Sequence, residues 1–426
     1  MSNISLNNKD NKFIFDIFII LAVFALLLRF ALAIGYINFY DTSWYRGWAL
    51  SLPDGLFDIY SRAAEIDLDY PPVYLLFLYV TGIIYRAVGT ESHVYIYMLL
   101  MKFWPVIFDF LCGAVLYFVF KSKGRLIAMA SALLWWFNPA TIFNSSFWGQ
   151  TDSMMCLLLL LSFARLENGL PFRACFWFAL AGLTKFQSLF FVPVFLLELF
   201  LKYRVKAFLK GLGIAAATVF GVFLPFMAGS KNLFLFFDVY LKGQGKYPYC
   251  TLSAFNIFGA LGLNWVDDLE PVFGSVSVQA ISAFAVILIF LGLITLYLFS
   301  RRKSVWISCF LFMNSLFMFT SRMHERYQFV VLVFILAAAV IHKRREFYYI
   351  FAATGVMVFI NQLIPMFSWN QTDSWFANNY GALIIAFSFV NLAVYVVSVY
   401  YCLRFMFSYQ IGFCDTNSKN RSAAAD

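Results

Sequence analysis

The feature that most narrows the choice of fold is a succession of apolar runs, several of them near the twenty residues that carry an α-helix across hydrocarbon. They fall at roughly 14–37, 72–85, 97–120, 126–143, 153–165, 174–184, 188–201, 207–228, 277–299, 304–319, 328–341, 347–366 and 380–406. Lipid offers no partner to a backbone N–H or C=O, so runs of this kind close their hydrogen bonds internally as helices. Composition agrees. Of 426 residues 62% are hydrophobic and 12% charged, against about half and about a quarter in soluble domains. The fold class expected is all-α integral membrane, with about twelve transmembrane helices in a range of about 11–13.

The net charge of +9 does not point to nucleic acid. The basic residues sit in short loops between apolar runs, as the positive-inside rule expects. Seven cysteines (112, 156, 175, 250, 309, 402 and 414) mostly fall within or beside those runs. None forms a CxxC pair, so neither a disulfide frame nor a zinc site is implied. Lys9 and Lys12 precede the first run, and "ALA" at 31–33 resembles a signal-peptidase site. The run continues through it with Arg29 inside, so an uncleaved first helix is expected.

Strict alternation of all the runs, with the N-terminus inside, would put "KSKGR" (121–125), "KYRVKAFLK" (202–210), "RRK" (301–303) and "HKRRE" (342–346) outside. One change removes every violation: the 72–85 segment lies in the outer interface or re-enters instead of crossing. Pro71 and Pro72 break any helix arriving from 60–70, and the segment is short for a span. The resulting plan has a cytoplasmic N-terminus (1–13) and a single transmembrane domain (14–406). A polar, disordered cytoplasmic tail follows at 407–426. Residues 38–96 form a first extracytoplasmic loop with an interfacial helix, and 229–276 form a long second one. "NQT" at 370–372 is an outer sequon. A bacterial plasma membrane is expected rather than the endoplasmic reticulum.

On this plan the outside collects the chemistry. The first loop is acidic, with Asp41, Asp54, Asp58, Glu65, Asp67 and Asp69 against Arg46 and Arg62. "NSSFWGQTD" (144–152), "TKFQ" (184–187) and "SRMHER" (321–326) face the same compartment. No P-loop, no GxGxxG after a strand and no HExxH is present. A transferase acting outside the membrane cannot draw on a cytoplasmic nucleotide. A polyprenyl phosphate sugar brings its own leaving group within the bilayer. Such a reaction needs a carboxylate to take the acceptor's proton, cations to hold the departing phosphate, and an apolar groove for the prenyl chain.

Asp41 stands just past the first helix, as a base or as a solvated carboxylate. Asp67 and Asp69 form a D-x-D pair that suits a divalent cation, although acidic pairs on wet loops are common and Asp69 can instead brace the interfacial segment. Trp148, Gln150 and Asp152 occupy a bend between helices, either lining a polar rim for sugar hydroxyls or serving as an interfacial Trp with an N-cap. Lys185 and Gln187 lie between two apolar runs with almost no loop; Lys185 snorkels or pairs with a phosphate or carboxylate. Arg322 and Arg326 are spaced to share a helix face with Glu325 beside both, as an ion-pair knot or as forks for phosphate oxygens. Asp109 is the most membrane-buried acid, within reach of Lys102 or a cavity.

These motifs, in this order, resemble the GT-C superfamily of membrane glycosyltransferases. They are most similar to bacterial relatives of the second GPI mannosyltransferase, and also look like the glucosyltransferases that extend the lipid-linked oligosaccharide. The shared marks are Asp41, "DYPP" (69–72), "WGQTD" (148–152), Lys185-x-Gln187, "SAFNIF" (253–258) and "MHERY" (323–327). The resemblance implies a GT-C-like fold and an inverting transfer of a hexose, mannose first, from a polyprenyl (dolichyl or undecaprenyl) phosphate donor. The acceptor would be a lipid-linked or surface glycan. In that family the acid of the first outer loop is the catalytic base, matching Asp41. The later motif lies near the donor phosphate, matching His324, Glu325 and Arg326. Arg322 and Lys185 would add cations there. Asp69, Trp148, Gln150, Asp152, Gln187 and Glu325 would support the sugar or acceptor. No metal is carried over; a divalent cation at Asp67 and Asp69 is the one cofactor candidate. Partners are the donor, the acceptor and membrane lipids, not nucleic acid, with no oligomeric state indicated. Two other readings stay open: a polymerase or ligase of lipid-linked glycans, and a lipid-glycan flippase or transporter.

Overall fold

A computed structural model of the chain describes residues 8–89, 93–370 and 374–408. Residues 409–426 of the expected tail and Gln371 and Thr372 of the sequon lie outside the described residues; Phe407, expected to open the tail, is the last residue of the final helix. The first apolar run forms α1 (Asn8–Gly35). Beyond it come α2 (Tyr40–Ser51) and, after an irregular stretch, α3 (Pro72–Val88). Pro72 opens α3, where a missing N–H costs nothing, and Gly89 closes it in the left-handed region at φ 63°. Next follow α4 (Val94–Phe120), α5 (Arg125–Trp136) and α6 (Pro139–Ile142), which runs on into a π-helical stretch, Phe143–Trp148. Then come α7 (Asp152–Glu167), α8 (Pro171–Thr184) and α9 (Val192–Gly229). The long second loop carries α10 (Leu235–Gly245), α11 (Ile257–Ala260) and a small antiparallel hairpin of β1 (Pro271–Phe273) and β2 (Val276–Ser277). The chain finishes with α12 (Val278–Phe299), α13 (Val305–Phe319), α14 (Val331–His342), α15 (Arg345–Asn370), α16 (Trp375–Asn378) and α17 (Tyr380–Phe407).

This is an all-α membrane protein. Among the described residues six helical stretches are long and apolar enough to cross a bilayer: 10–35, 94–123, 186–229, 278–299, 345–369 and 380–407. A seventh arises if α5 and the α6–π segment, bent by 51°, count as one. The expected figure of about twelve is larger because other apolar runs form shorter helices. Those of α7, α8, α13 and α14 have 16, 14, 15 and 12 residues. At 1.5 Å per residue these reach about 18–24 Å, short of a ~30 Å hydrocarbon core. Protein encloses most of α7, α13 and α14: every residue of α14 from Val331 to Val340 is buried. The 186–229 stretch is a hairpin. Arg204, at φ 62° and ψ 176°, breaks it. Phe200 and Phe208 then meet at 5.5 Å, and Gly211 packs against Leu199 and Cys175.

The bundle has two chemically different ends. At one, Arg301 and Arg302 donate backbone N–H groups to the Met406 carbonyl. His342 Nε2 meets Ser304 Oγ at 2.7 Å, and Trp306 Nε1 donates to Glu167 at 2.8 Å. From there α13 runs to Thr320 at the opposite end, and α14 returns. That opposite end also holds the start of α7, the end of α8 and the α1–α2 turn. The start of α3 lies beside the same cleft, through Tyr70 and Pro71. Its last turn places Tyr85 6.4 Å from Tyr97, in the first turn of α4.

Inside the bundle, Arg29 of α1 and Asp109 of α4 form an ion pair at 2.7 Å with both side chains fully buried. Asp109 also accepts from Trp135 Nε1 (2.8 Å), Ser145 Oγ (3.0 Å) and Ser153 Oγ (3.1 Å). Lys102 is not its partner. The Lys102 ammonium donates to the carbonyls of Ala33 and Tyr36 at 3.2 and 2.7 Å, satisfying orphan acceptors at the end of α1. Replacing Arg29 by Leu leaves a buried carboxylate without its cation, at a cost of about 3–5 kcal/mol. The double change Arg29→Leu/Asp109→Leu should recover part of that loss. Thermal unfolding in detergent of both single variants and the double variant checks this; strictly additive losses would contradict it.

Candidate active site

At the end away from the basic loops a cleft opens between α2, the 67–71 segment, the α8–α9 turn and the 246–247 and 324–327 segments. It encloses ≈ 750 Å³, its open mouth included. Asp41, Asp67, Asp69, Lys185, Gln187, Lys246, His324 and Arg326 all line it, with Trp44, Tyr45, Trp48, Tyr70, Phe186, Tyr247 and Tyr327 as aromatic walls.

Asp41 sits in the first turn of α2. Its Oδ2 accepts from Trp148 Nε1 and Gln150 Nε2, both at 2.5 Å; among the described residues Oδ1 has no hydrogen-bond partner. The two donors come from the bend between the π-helical stretch and α7. Gly149 makes that bend possible at φ 83°, and a Cβ there would sit 3.0 Å from the Lys102 side chain. Asn38 holds the bend against α2 by donating to the Trp148 carbonyl at 3.3 Å. Gln150 Oε1 accepts from Tyr45 at 3.3 Å and Lys185 at 3.4 Å. Asp152 is not an N-cap: it occupies the first position of α7, and its carboxylate takes Lys185 and Asn144 Nδ2, the latter at 2.9 Å. Lys185 is therefore neutralised within the wall, both partners 3% exposed. Gln187 is 5% exposed and its side chain lies beside Tyr327.

The 320–326 segment is not helical. Leu252 N–H donates to Met323 O, and Glu325 N–H to Leu252 O, at 2.9 and 3.1 Å, so the segment pairs as a bridge with the front of "SAFNIF". That motif is pinned in turn by Asn361, which donates to Ser253 O and accepts from Phe255 N–H, and by Asn391, which donates to Phe255 O. The two arginines therefore diverge instead of sharing a face. Arg322, at φ 64°, makes a bidentate pair with fully buried Asp268 at 2.8 and 3.1 Å; it is absent from the cleft lining and fastens the long loop. Arg326 turns into the cleft. It donates to Glu325 Oε1 at 2.6 Å and lies 5.8 Å from the Trp148 ring centroid, so one indole touches both Asp41 and this cation.

Burial opposes the charge on Arg326, but Glu325 and Asp41 outweigh it and raise its pKa well above the usual value. Burial likewise would raise Glu325, yet Arg326 and His324 hold it below the ordinary carboxylate range. Burial lowers the His324 pKa, against the pull of Glu325, so the imidazole is neutral at pH 7. The D-x-D pair is occupied by a side chain of the protein. Lys246 donates to Asp67 at 2.8 Å and Asp69 at 2.9 Å, so the two carboxylates that were the one candidate pair for a divalent cation already hold an ammonium. Among the described residues no group of three or more His, Cys, Asp or Glu could hold a metal ion.

Sequence reasoning missed Lys246, Tyr247 and Asp268. Only the "KGQGKYPY" cluster in the long loop hinted at the first two. Comparison with known proteins returns no family model and no curated protein that matches this chain.

Both His324 and Glu325 bind protons less readily folded than unfolded. Stability is therefore present above the unfolded values and falls as pH drops through the lowered folded ones. Between pH 7 and 5 the melting temperature should decline, and His324→Gln should remove most of the decline that begins below about pH 6.5. An unchanged profile in that variant would contradict the assignment.

Proposed function

We propose that this chain is an inverting hexosyltransferase of GT-C type. It would move a hexose, mannose first, from a polyprenyl phosphate to a lipid-linked or surface glycan. The observation carrying the reading is that Asp41, with one carboxylate oxygen open, shares a cleft with Arg326 and His324 at the end remote from the basic loops. By the positive-inside rule the basic end is cytoplasmic, which puts the cleft and the acidic first loop outside and both termini inside, in a bacterial plasma membrane. On the same reading the shorter buried helices also cross, giving about twelve spans, and α3 stays in the outer interface.

The acceptor hydroxyl attacks the anomeric carbon from the Asp41 side. A carbon–oxygen bond to the acceptor forms as the bond to the phosphate oxygen breaks, with inversion and an oxocarbenium-like transition state. The acceptor proton passes to Asp41 Oδ1. Trp148 and Gln150 hold the other oxygen in place, so its direction is set before the acceptor arrives. Negative charge grows on the leaving phosphate. Arg326 is already balanced by Glu325, and Lys185 by Asp152. Among the described residues of the cleft wall, the cation whose partners are most exposed is Lys246, with Asp67 and Asp69 48% and 28% exposed; such pairs are weak and are exchanged at little cost, so Lys246 would follow the phosphate. Neutral His324 adds an N–H donor. Aromatic walls suit the C–H faces of a sugar ring.

Transfer from a polyprenyl-phosphate hexose, assayed in detergent, should fall by about 10²–10⁴-fold in Asp41→Asn. Full activity in that variant would remove the central assignment. Competition by a polyprenyl diphosphate oligosaccharide, and not by the monophosphate sugar, would favour the ligase reading.

A further inference from the structure

The helix that leads to the Lys246 bridge is apolar on two sides. One side of α10 packs on the bundle. Leu235 and Val239 are buried, and the rings of Phe236 and Tyr240 lie 5.5 and 6.4 Å from that of Phe223 in α9. The other side presents Phe234, Phe237 and Leu241, at positions i, i+3 and i+7 of one helical stripe, with Leu233 just before them. These four side chains are between 57% and 79% exposed, so among the described residues nothing covers them. Asp238, in the first turn, is engaged by Asn232 Nδ2 at 2.7 Å and does not break the stripe. A helix in water keeps one face polar; this one does not.

The depth of α10 says what covers the stripe. The second arm of α9 belongs to a stretch apolar enough to cross a bilayer, and it ends at Gly229, at the cleft end of the bundle. The chain then turns and folds back along it. Phe223, which meets Phe236 and Tyr240, lies six residues short of that end, about 9 Å down the axis at 1.5 Å per residue. Tyr240 Oη donates to the Gly182 carbonyl at 2.8 Å, in the last turn of α8. So α10 lies beside the final turns of α9 and α8 and not above them. Phe220 and Leu224 of α9, at the same level, are exposed as lipid-facing residues are. With 11 residues α10 is about 16 Å long, too short to span a ~30 Å core. A helix lying in the interface sinks its apolar face about 5–10 Å into the boundary between headgroups and acyl chains, the depth at which Phe223 sits.

We infer that α10 is inserted in the leaflet on the cleft side of the membrane, with lipid acyl chains covering Leu233, Phe234, Phe237 and Leu241. The inference does not rest on the transferase reading. It changes the plan of the long second loop, which the sequence places wholly outside the bilayer: its first helix lies within the lipid. It also fixes the level of the cleft mouth. Lys246 directly follows the last residue of α10, Gly245, and bridges to Asp67 and Asp69. Its ammonium lies 5.9 and 5.7 Å from the ring centroids of Trp44 and Tyr247, aromatics of the kind that collect at headgroup level. A membrane-held α10 therefore keeps this cation, and the mouth it bridges, at the surface of the leaflet.

The test uses the full chain in phosphatidylcholine nanodiscs. A bimane fluorophore is placed on Phe234→Cys, Phe237→Cys or Leu241→Cys, with Cys414 replaced by Ser, and read against two quenchers: a nitroxide on the lipid acyl chain and iodide in water. The nitroxide should quench all three positions several-fold more than iodide does. Glu270→Cys, exposed in the same loop, should show the reverse order. Stronger quenching of position 237 by iodide than by the nitroxide would overturn the inference. So would protection from both quenchers, which would mean that a second copy of the chain covers the stripe. A second measurement leaves the residues of α10 unchanged. The wild-type chain is reconstituted with a phosphatidylcholine that carries a diazirine on its acyl chain, and after illumination the crosslinks are mapped by mass spectrometry. Adducts should fall within residues 233–241; their absence, with adducts present on α9 and α12, would equally overturn the inference, and this arm decides if a labelled variant does not fold.

Discussion

The ion pair between Arg29 and Asp109 is the constraint on which the rest of the structure hangs. Two charges removed from water and placed among helices are costly unless every lone pair is used. Here the carboxylate accepts four hydrogen bonds, counting those from Arg29, Trp135, Ser145 and Ser153. Those donors come from α1, α5, the π-helical stretch and α7, and the acceptor from α4. One buried side chain therefore fixes the relative position of five segments. Two of them, the π-helical stretch and α7, flank the bend that presents Trp148, Gln150 and Asp152.

The cleft follows from that anchoring. Lys102 closes the end of α1 by taking its last carbonyls, so the chain leaves the helix in a defined direction and Asp41 meets Trp148 and Gln150 one turn later. On the other wall, irregular backbone is tolerated at membrane depth only where protein satisfies it. Asn361 and Asn391 do so for Ser253 and Phe255, and residues 252–253 in turn hold the backbone around His324. The His324–Glu325–Arg326 side chains are thus carried on a loop whose backbone is tied, through residues 252–253, to Asn361 and Asn391 on the helices behind it. The stiffness of both walls contrasts with the Lys246 bridge across the mouth, where the carboxylates are partly wet. A rigid base opposite an exchangeable cation suits a reaction in which a charged group arrives and departs.

Much of this was legible in the sequence, for definite reasons. Apolar run lengths and basic turns report on lipid directly, so the helices and their breaks near 121–125, 202–210, 301–303 and 342–346 could be read one residue at a time. The Pro71-Pro72 start of α3 and the bend at Gly149 were equally local. Pairings across sequence were not. Asp109 has a basic neighbour seven residues away in Lys102, yet its partner is Arg29, 80 residues distant. Helical spacing put Arg322 and Arg326 on one face, but the bridge to Leu252 unwinds that segment, and Asp268, 54 residues away, takes Arg322. Lys246 looked like one more loop cation because nothing local marks a side chain that will reach two carboxylates nearly 180 residues earlier. Run length and helix length differ in one respect: helices wrapped by other helices need not reach across hydrocarbon alone, so helix length by itself counts six or seven spans where the runs suggest about twelve.

Every functional statement depends on the cleft being a single outward-facing space with the basic loops on the other side of the membrane. The six cysteines of the described residues are buried, so with Cys414 replaced by Ser, single cysteines at Trp44, Tyr247 and Lys303 report sidedness cleanly. Trp44 and Tyr247 line the cleft and are 50% and 38% exposed; Lys303 is exposed at the basic end. With a membrane-impermeant maleimide on intact cells, positions 44 and 247 should label and 303 should label only after permeabilisation. Labelling of 44 and 247 from opposite compartments, or of 303 together with either on intact cells, would contradict the account.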